Sequence, residues 1–253
     1  LGRLVKTEKK QSYNLVNGGA MSAYSIISEM EYDALGQVIK KKLGAAPLET
    51  MKYDYNIRGW LLGANRDYVK DVATANYFGF DLGYDKDGIL GIYTKQYNGN
   101  IGGMIWKSKG DGEKRKYDFS YDAVNRITGA AFNQYVSGSG TSAIFNKTAG
   151  VDFTLSYMTY DANGNIMTMN QNGLKINTSP LIDQLSYTYQ TNSNKLSKVL
   201  DAVVDKDSKL GDFKYDPATK QSTDYAYDAN GNLTKDNNKS ISSITYNYLN
   251  LPS

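Results

Sequence analysis

Carboxylates are the side chains in this sequence that could act in pairs as acid and base or nucleophile. The 253 residues include 21 Asp and 5 Glu, and they include no His and no Cys. Without His or Cys, the chain supplies no thiolate nucleophile, Ser-His-Asp triad, disulfide or Cys/His zinc site. The remaining acid chemistry would be that of paired carboxylates, which cleave glycosidic bonds when they face each other across a cleft.

Two segments resemble the start of a calcium-binding loop. Residues 161–165 and 228–232 both read Asp-Ala-Asn-Gly-Asn, which places oxygen-bearing side chains around a glycine. Both segments lack the bidentate Glu that completes such a loop. The flanking residues instead favour hairpin turns, in which the Asp carboxylate accepts hydrogen bonds from nearby backbone N–H groups. We therefore predict no metal site and no cofactor.

The other side chains with possible functions also have structural explanations. Glu29 and Glu31 lie on one face of a predicted strand beside Tyr32, which is typical of a solvent-facing edge. We predict that the chain has no catalytic residues and is not an enzyme. Trp60 and Trp106 could stack on sugar rings, but aromatic packing between strands explains them as well. A glycan partner therefore remains an alternative prediction.

Charge and hydropathy exclude two classes of partner. The net charge is +3, and charges of both signs are mixed along the chain, unlike the basic patch of a nucleic-acid-binding protein. No segment approaches the roughly 20 consecutive apolar residues that span a bilayer. We predict neither a nucleic-acid partner nor a membrane span.

The elements that carry these residues are copies of one short phrase, a tyrosine followed by an acidic residue and a turn. The clearest copies begin at Tyr32-Asp33, Tyr53-Asp54, Tyr121-Asp122, Tyr160-Asp161 and Tyr227-Asp228, with turn residues at Gly36, Asn163, Gly164, Asn230 and Gly231. The spacing between copies is irregular, which favours hairpins with variable outer connections.

The flanks of each phrase alternate between apolar and polar residues. Tyr117, Phe119 and Tyr121, for example, alternate with polar residues. This period of two predicts a strand with one buried face. The pairs Asn163-Gly164 and Asn230-Gly231 predict tight primed turns, in which both central residues have positive φ. Each repeat is thus a strand, a turn and a strand, and it needs neighbouring repeats to be stable.

Other segments interrupt this pattern. We predict a strand, with a short helix as the alternative, within residues 22–31, a flexible loop at 136–150 and a polar excursion at 201–211. Edge strands are expected at 1–10 and at 241–248, and their unpaired backbone groups predict self-association. The sequence indicates no internal domain boundary. The start at Leu1 is expected for a fragment of a larger protein.

The repeated phrase resembles the rearrangement-hotspot, or YD-repeat, family, in the form found in Bacteroidetes. The resemblance includes more than the Tyr-Asp pair and extends over nearly the whole of residues 1–253. It is carried by residues 53–65 (YDYNIRGWLLGAN), 97–106 (YNGNIGGMIW), 227–236 (YDANGNLTKD) and 244–252 (ITYNYLNLP).

The resemblance implies a fold and a function. The fold would be an all-β, curved, mostly antiparallel sheet that forms part of a hollow shell. The function would be that of a non-catalytic scaffold, which encloses or presents a C-terminal polypeptide of the same full-length chain, often a toxin. The family also implies a bacterial protein that is secreted or exposed at the cell surface. The alternative is a carbohydrate-binding or adhesion module that uses exposed aromatic residues.

Overall fold

A computed structural model describes residues 2–175, 180–203 and 211–253 of the chain. Most of the predicted polar excursion at 201–211 lies outside the described residues. Within them, the secondary structure is almost entirely β, which confirms the predicted fold class.

The strands follow one another along the chain with few helical interruptions. They are β1 (Lys6–Lys9), β2 (Ser25–Tyr32), β3 (Val38–Leu43), β4 (Glu49–Tyr55), β5 (Leu61–Ala64), β6 (Phe78–Gly83), β7 (Gly103–Ser108), β8 (Lys114–Tyr121), β9 (Ile127–Ser137), β10 (Ile144–Asn146), β11 (Leu155–Tyr160), β12 (Ile166–Asn172), β13 (Leu181–Tyr189), β14 (Leu196–Asp201), β15 (Tyr225–Tyr227) and β16 (Leu233–Asp236). The helices are α1 (Asn14–Asn17) and α2 (Arg66–Val69), with short 3₁₀ helices at Gly140–Ser142 and Asn237–Lys239.

The sheet has the order of a meander. Strands β1 to β9 and β11 to β14 pair in chain order, β10 pairs with β9, and together they make a fourteen-stranded sheet. Strands β15 and β16 form a second sheet of two strands. The strand pairs with a defined residue register are antiparallel, as predicted. The expected strand at residues 22–31 is confirmed as β2.

The chain divides into two compact units. Unit 1 comprises residues 1–118 and 134–146, and unit 2 comprises residues 119–133 and 147–253. Two of the three divisions fall inside β8 and β9, where the strand pattern is uninterrupted, and the third falls at the end of β10. A sequence scan for linkers therefore gives no signal for them.

The core of unit 1 gathers side chains from several elements. Val69 of α2, Ile105 of β7 and the inter-strand residues Leu90 and Tyr93 form one buried cluster. The ring of Tyr93 lies directly over Gly103, where a Cβ atom would come within 2.3 Å of it. Glycine is required at this position because the aromatic ring occupies the space of a side chain.

Residues 136–150 do not form the flexible loop that their Ser-Gly content predicted. Strand β9 continues to Ser137, and β10 returns to pair with it. Phe145 of β10 packs on the core cluster of unit 1, and the N–H of Gly91 donates to the carbonyl oxygen of Gly140 at 2.8 Å. The prediction was wrong because burial of the Phe145 ring outweighs the local preference of the Ser-Gly run for a loop.

Unit 2 buries apolar residues of its longer strands. Ile182 and Leu185 of β13 and Val199 of β14 are almost fully buried. The rings of Phe132 and Phe153 meet edge to face with centroids 5.2 Å apart. The period-two pattern of Tyr and aliphatic residues thus supplies the buried face that it predicted.

The predicted edge strand at 241–248 is mostly absent. Isolated bridges join Asp236 to Ile241 and Tyr246 to Pro252, and a turn begins at Asn247, whose N–H donates to the carbonyl oxygen of Leu251 at 3.0 Å. The chain reverses too soon for a longer strand. At the other end, β1 is confirmed as the first strand of the sheet order.

The repeat turns are not of the predicted primed type. Gly164 and Gly231 have φ of 87° and 88°, but Asn163 and Asn230 are outside the left-handed region. In the first turn, the N–H of Gly164 donates to the carbonyl oxygen of Asp161 at 3.2 Å. This geometry is that of a three-residue loop, in which a type I turn is followed by one left-handed residue and a bulge. Only one residue of each pair therefore needs positive φ.

The left-handed position predicts an order of stability among variants of Gly164. A side chain there meets no other atom within 4 Å, so the cost comes from φ alone. We expect Gly164→Ala to destabilise unit 2 by about 1 kcal/mol and Gly164→Val to destabilise it more. Gly164→Asn is the matched control, because Asn125 and Asn250 hold the same position with φ of 68° and 57°.

Urea titration of the four proteins measures this order. Asn should cost least, Ala more and Val most. Equal midpoints for the wild type and the Val variant would show that Gly164 does not occupy a left-handed turn position.

Candidate functional site

The repeated turns form the candidate functional feature of the chain. Each begins with an Asp or Asn whose N–H donates to the carbonyl oxygen of the residue four positions later, at 2.9 to 3.0 Å. We call these the repeat turns. They begin at Asp33, Asn56, Asp122, Asp161, Asp228 and Asn247.

The first side chain of each repeat turn holds the loop together. Oδ1 of Asp161 accepts hydrogen bonds from the N–H groups of Asn163 and Asn165 at 2.8 and 2.9 Å. Oδ2 of Asp161 accepts a third bond from the side chain of Asn165 at 2.8 Å. This side-chain bond, together with the backbone donors, holds the pKa of Asp161 below its ordinary value.

The same contacts recur in the other turns. Oδ1 of Asp122 accepts from the N–H groups of Val124 and Arg126 at 3.0 and 2.9 Å. Oδ1 of Asn247 accepts from those of Leu249 and Leu251 at 2.9 and 3.1 Å. The amide oxygen of Asn247 accepts the same backbone hydrogen bonds as the carboxylate oxygen of Asp122. The turn therefore requires a hydrogen-bond acceptor and not a negative charge.

One predicted turn is displaced by two residues. Tyr53 and Asp54 lie inside β4, and the turn begins at Asn56. The residue three positions after Asn56 is Gly59, with φ of 78°. The residue three positions after Asp54 is Ile57, whose branched side chain disfavours positive φ. The position of the glycine, and not the Tyr-Asp pair, therefore fixes where the strand reverses.

The remaining predicted turn residues lie at the connections between consecutive strands. Tyr32, Asp33 and Gly36 form the turn between β2 and β3, with φ of 89° at Gly36. Tyr121 and Asp122 lie between β8 and β9, Tyr160 and Asp161 between β11 and β12, and Tyr227 and Asp228 between β15 and β16.

Tyrosine hydroxyl groups before five of the six repeat turns, and before two other turns, donate to carbonyl oxygens of earlier parts of the chain. The hydroxyl of Tyr160, directly before Asp161, donates to the carbonyl oxygen of Ile127 at 2.6 Å. Ile127 is the residue that resumes the strand after the preceding turn. Six further tyrosine-to-carbonyl bonds join Tyr32 to Leu4, Tyr55 to Val38, Tyr84 to Leu61, Tyr189 to Ile166, Tyr227 to Leu196 and Tyr246 to Leu233, at 2.7 to 3.1 Å.

The residue that closes a turn often bonds the next turn as well. The side chain of Gln37 donates to the carbonyl oxygen of Gly59 at 3.2 Å, and that of Asn165 donates to Oδ1 of Asn194 at 2.9 Å. The side chain of Asn232 donates to Oδ1 of Asn250 at 2.8 Å. Successive turns are thus joined side by side by polar contacts that the sequence pattern alone did not reveal.

Both tryptophans pack against neighbouring aromatic rings. Trp60 lies 5.2 Å from Tyr84 between ring centroids, and the guanidinium group of Arg58 lies 5.1 Å from the centre of its ring. Trp106 stacks on Tyr117 with centroids 5.4 Å apart. These contacts favour the structural explanation of the two indoles over sugar stacking.

The acidic pair on β2 faces lysines of the neighbouring strand. Glu31 accepts from Lys40 at 2.9 Å, and Lys42 lies 3.8 Å from both Glu29 and Glu31. The hydrogen bond from Lys40 lowers the pKa of Glu31. These are ion pairs on an exposed part of the sheet, where the ionised carboxylates are balanced by ammonium groups.

A third Glu accepts structural hydrogen bonds through one carboxylate oxygen. Oε1 of Glu49 accepts from the side chain of Asn65 at 3.2 Å and from the N–H of Tyr77 at 3.1 Å. Asn65 also donates to the carbonyl oxygen of Phe78 at 2.8 Å. These bonds connect β4 to the chain around α2 and β6.

Sequence reasoning missed a buried ion pair in unit 1. Asp81 of β6 is fully buried and accepts from Arg66 at 2.7 Å, from the N–H of Ile89 at 3.0 Å and from the hydroxyl of Tyr93 at 3.2 Å. Burial raises the pKa of Asp81 although Arg66 opposes the change. These bonds attach the long segment between β6 and β7 to the core.

Sequence reasoning also missed a group of three carboxylates in unit 2. Asp183 of β13, Asp201 at the end of β14 and Asp212 each place one oxygen within 4.8 Å of the other two. Burial raises the pKa of Asp183 and of Asp212, and the neighbouring carboxylates raise both further. The only sign of this group in the sequence is Asp183 itself, which directly follows the apolar residues Leu181 and Ile182 at the start of a strand.

Comparisons with known proteins show little sequence similarity. No protein-family model matches the chain, and no curated protein matches it. Among solved structures, the crystal structure of TcdB2-TccC3-TEV is similar over 99% of this chain, with 10% sequence identity and a TM-score of 0.21. This chain spans 16% of the length of that chain. The all-β assignment rests on the strands described above.

The search for membrane-spanning helices was also negative. Within the described parts of the chain, no helix has the length and hydropathy that a bilayer crossing requires.

The tyrosine bonds predict a measurable contribution to stability. Tyr160→Phe removes the hydroxyl that donates to Ile127 and keeps the ring, so we expect a loss of about 0.5–1.5 kcal/mol in the free energy of unfolding. Tyr157→Phe is the matched control, because Tyr157 lies on the same strand and is 75% exposed. Urea unfolding measures both. Equal effects of the two substitutions would contradict a bonding role for Tyr160.

The turn carboxylate predicts a pH effect with a definite sign. Because its pKa is lowered in the folded protein, Asp161 stabilises the fold above its unfolded pKa of about 3.9, and that stabilisation is lost as the pH falls through the lower folded value. Asp161→Asn keeps the Oδ1 acceptor and should reduce the loss of stability between pH 7 and pH 3. Asp161→Ala should destabilise the protein at both pH values. Parallel pH profiles for the wild type and the Asn variant would contradict this assignment.

Proposed function

We propose that this chain is a non-catalytic structural scaffold, a part of the wall of a hollow β-shell. The shell would enclose or present a polypeptide that follows in the same full-length chain. The observation that carries the proposal is the recurrence, in both units, of one turn geometry and one tyrosine-to-carbonyl bond. Such recurrence supports a structure that grows by adding hairpins.

The physical basis is the way one hairpin holds the next. Backbone bonds of the sheet join adjacent strands, tyrosine hydroxyls before five of the six repeat turns bond to earlier parts of the chain, and polar side chains join adjacent turns. In repeat proteins, stability comes from contacts between neighbouring units, so the array can extend without a central core. These contacts are best suited to an extended β-sheet that serves as a wall.

The sequence resemblance to the YD-repeat family supports the same proposal. The Tyr and the Asp that define the family phrase have defined physical roles here, as the donor to the preceding hairpin and as the acceptor within the turn. From that resemblance we further propose that the protein is bacterial, that it is secreted or exposed at the cell surface, and that its cargo is toxin-like.

The use of the acidic residues supports a non-catalytic role. Asp side chains hold turns, Glu29 and Glu31 pair with lysines, and Glu49 accepts structural hydrogen bonds. A general acid or nucleophile must be able to approach a substrate. The carboxylates of these residues are engaged with groups of the chain itself.

The proposal predicts protection of the downstream polypeptide. In the full-length gene product, limited proteolysis should leave the segment after Ser253 intact for much longer than the same segment expressed alone. Mass spectrometry of the fragments over time measures the two rates. The control is the same protein after unfolding in urea, in which protection should disappear. Equal cleavage rates for the enclosed and the isolated segment would overturn the containment proposal.

The carbohydrate-binding alternative is tested in parallel. A glycan array on the purified chain should show no binding, because the indole rings of Trp60 and Trp106 already pack against Tyr84 and Tyr117. Binding that is abolished by Trp60→Ala or Trp106→Ala would favour the adhesion module over the scaffold.

Self-association through the edge strand β1 stays a prediction. Lys6 and Lys9 lie on this strand, and its register shifts between Thr7 and Glu8. Charges and bulges on an edge strand limit pairing with other chains. They therefore oppose the association that unpaired backbone groups favour.

A further inference from the structure

We propose that Asp183, Asp201 and Asp212 form a binding site for Ca²⁺ in unit 2. One carboxylate oxygen from each residue lies within 4.8 Å of the others. Ca²⁺ binds oxygen ligands at about 2.3–2.6 Å, so two oxygens on one ion are at most roughly 5 Å apart. The three carboxylates are therefore close enough to share a single ion. This inference is independent of the proposed scaffold function.

Burial makes the charges of this group costly unless they are neutralised. Asp183 and Asp201 are only 3% and 4% exposed. Lys175 and Lys214 exert favourable electrostatic effects on Asp212. Buried carboxylates normally pair with a cation or coordinate a metal. A divalent ion would neutralise most of this charge.

Unpartnered oxygens point to a missing ligand. Oδ2 of Asp201 and both carboxylate oxygens of Asp212 are buried, and no described residue donates a hydrogen bond to them. Buried side-chain oxygens usually have a partner, and an exception calls for an explanation. A cation bound between the carboxylates would satisfy these oxygens, and water molecules would complete its coordination.

The backbone fixes the orientation of two of the carboxylates. Oδ1 of Asp201 accepts from the N–H groups of Gln184 and Val203 at 2.7 and 3.0 Å. Oδ1 of Asp183 accepts from the N–H of Phe213 at 2.7 Å. One oxygen of each carboxylate is thus held by the chain. Since Oδ2 of Asp201 takes no part in these bonds, it remains available to an ion.

The type of ligand selects the type of ion. The group contains only carboxylate oxygens, which suit hard cations such as Ca²⁺, Mg²⁺ and Mn²⁺ and not the softer zinc or copper ions. Mg²⁺ requires nearly octahedral geometry at about 2.0–2.1 Å and keeps much of its water. Ca²⁺ tolerates irregular geometry, which fits three residues from three separate parts of the chain.

Binding would connect chain segments that are distant in sequence. Asp183 lies near the start of β13, Asp201 ends β14, and Asp212 precedes the chain that leads to β15. An ion that binds the folded form and not the unfolded form stabilises the protein by mass action. The expected consequence is that the stability of unit 2 depends on Ca²⁺.

The experiment measures thermal unfolding and metal binding of the 253-residue chain. We expect the melting temperature to be higher in millimolar Ca²⁺ than in EDTA, with a smaller increase in Mg²⁺. Tb³⁺, which replaces Ca²⁺, should emit when tyrosine is excited, because the hydroxyl of Tyr215 lies 3.0 Å from the carbonyl oxygen of Asp201. Added Ca²⁺ should displace Tb³⁺ and abolish the emission.

Isosteric variants identify the site. Asp212→Asn removes no hydrogen bond among the described residues, and it should weaken Ca²⁺ binding at least tenfold. Asp201→Asn is the second variant, because its Oδ1 acceptor is retained. Asp216→Asn is the matched control, since Asp216 accepts from the N–H of Ala218 in its own turn and should leave binding unchanged. Circular dichroism confirms that each variant is folded.

Three results would overturn the proposal. The first is the absence of both a Ca²⁺-dependent melting shift and Tb³⁺ emission in the folded chain. The second is a melting temperature that rises on acidification but not with Ca²⁺, which would show that the carboxyls share protons in place of an ion. The third is an equal shift in Mg²⁺ and Ca²⁺, which would contradict the assignment to Ca²⁺.

Discussion

The repeat turn depends on one side-chain oxygen that accepts hydrogen bonds from the backbone N–H groups two and four residues later. In the turns at Asp122, Asp161 and Asn247, this contact fixes a type I bend and leaves one residue in the left-handed conformation. The strand then resumes with its side chains in register. Because the tyrosine before the turn is held at a fixed place, its hydroxyl reaches the preceding hairpin.

The parts of the fold that are local in sequence could be predicted from it. The alternation of apolar and polar residues predicted strands, and the Tyr-Asp phrase with its following turn residues predicted most of the turns. The exception at Tyr53 shows which residue decides: Gly59 can adopt positive φ, while Ile57 cannot do so without strain. Assigning the primed turn type failed because Asn-Gly fits two hairpin geometries, and the Asp acceptor selects the other one.

The parts that depend on contacts between distant residues could not be predicted. Phe145 joins the core of unit 1 from a segment whose composition indicated a loop. Asp183, Asp201 and Asp212 are brought together by strand pairing and by chain reversal, and no local motif connects them. The calcium pattern that is visible in the sequence, at Asp161 and Asp228, is instead satisfied by its own turn. Spacing along a chain therefore identified the repeated unit but not the carboxylate group.

The central claim is that a side-chain acceptor holds each of the six repeat turns, and that a tyrosine hydroxyl bonds five of them to an earlier part of the chain. Residue-resolved hydrogen exchange of the folded chain tests it most directly. The amides of Arg126, Asn165 and Leu251, which donate to the turn side chains, should exchange as slowly as amides in the middle of the neighbouring strands. Exchange of these amides at the rate of an unfolded chain, while the strands remain protected, would contradict the account.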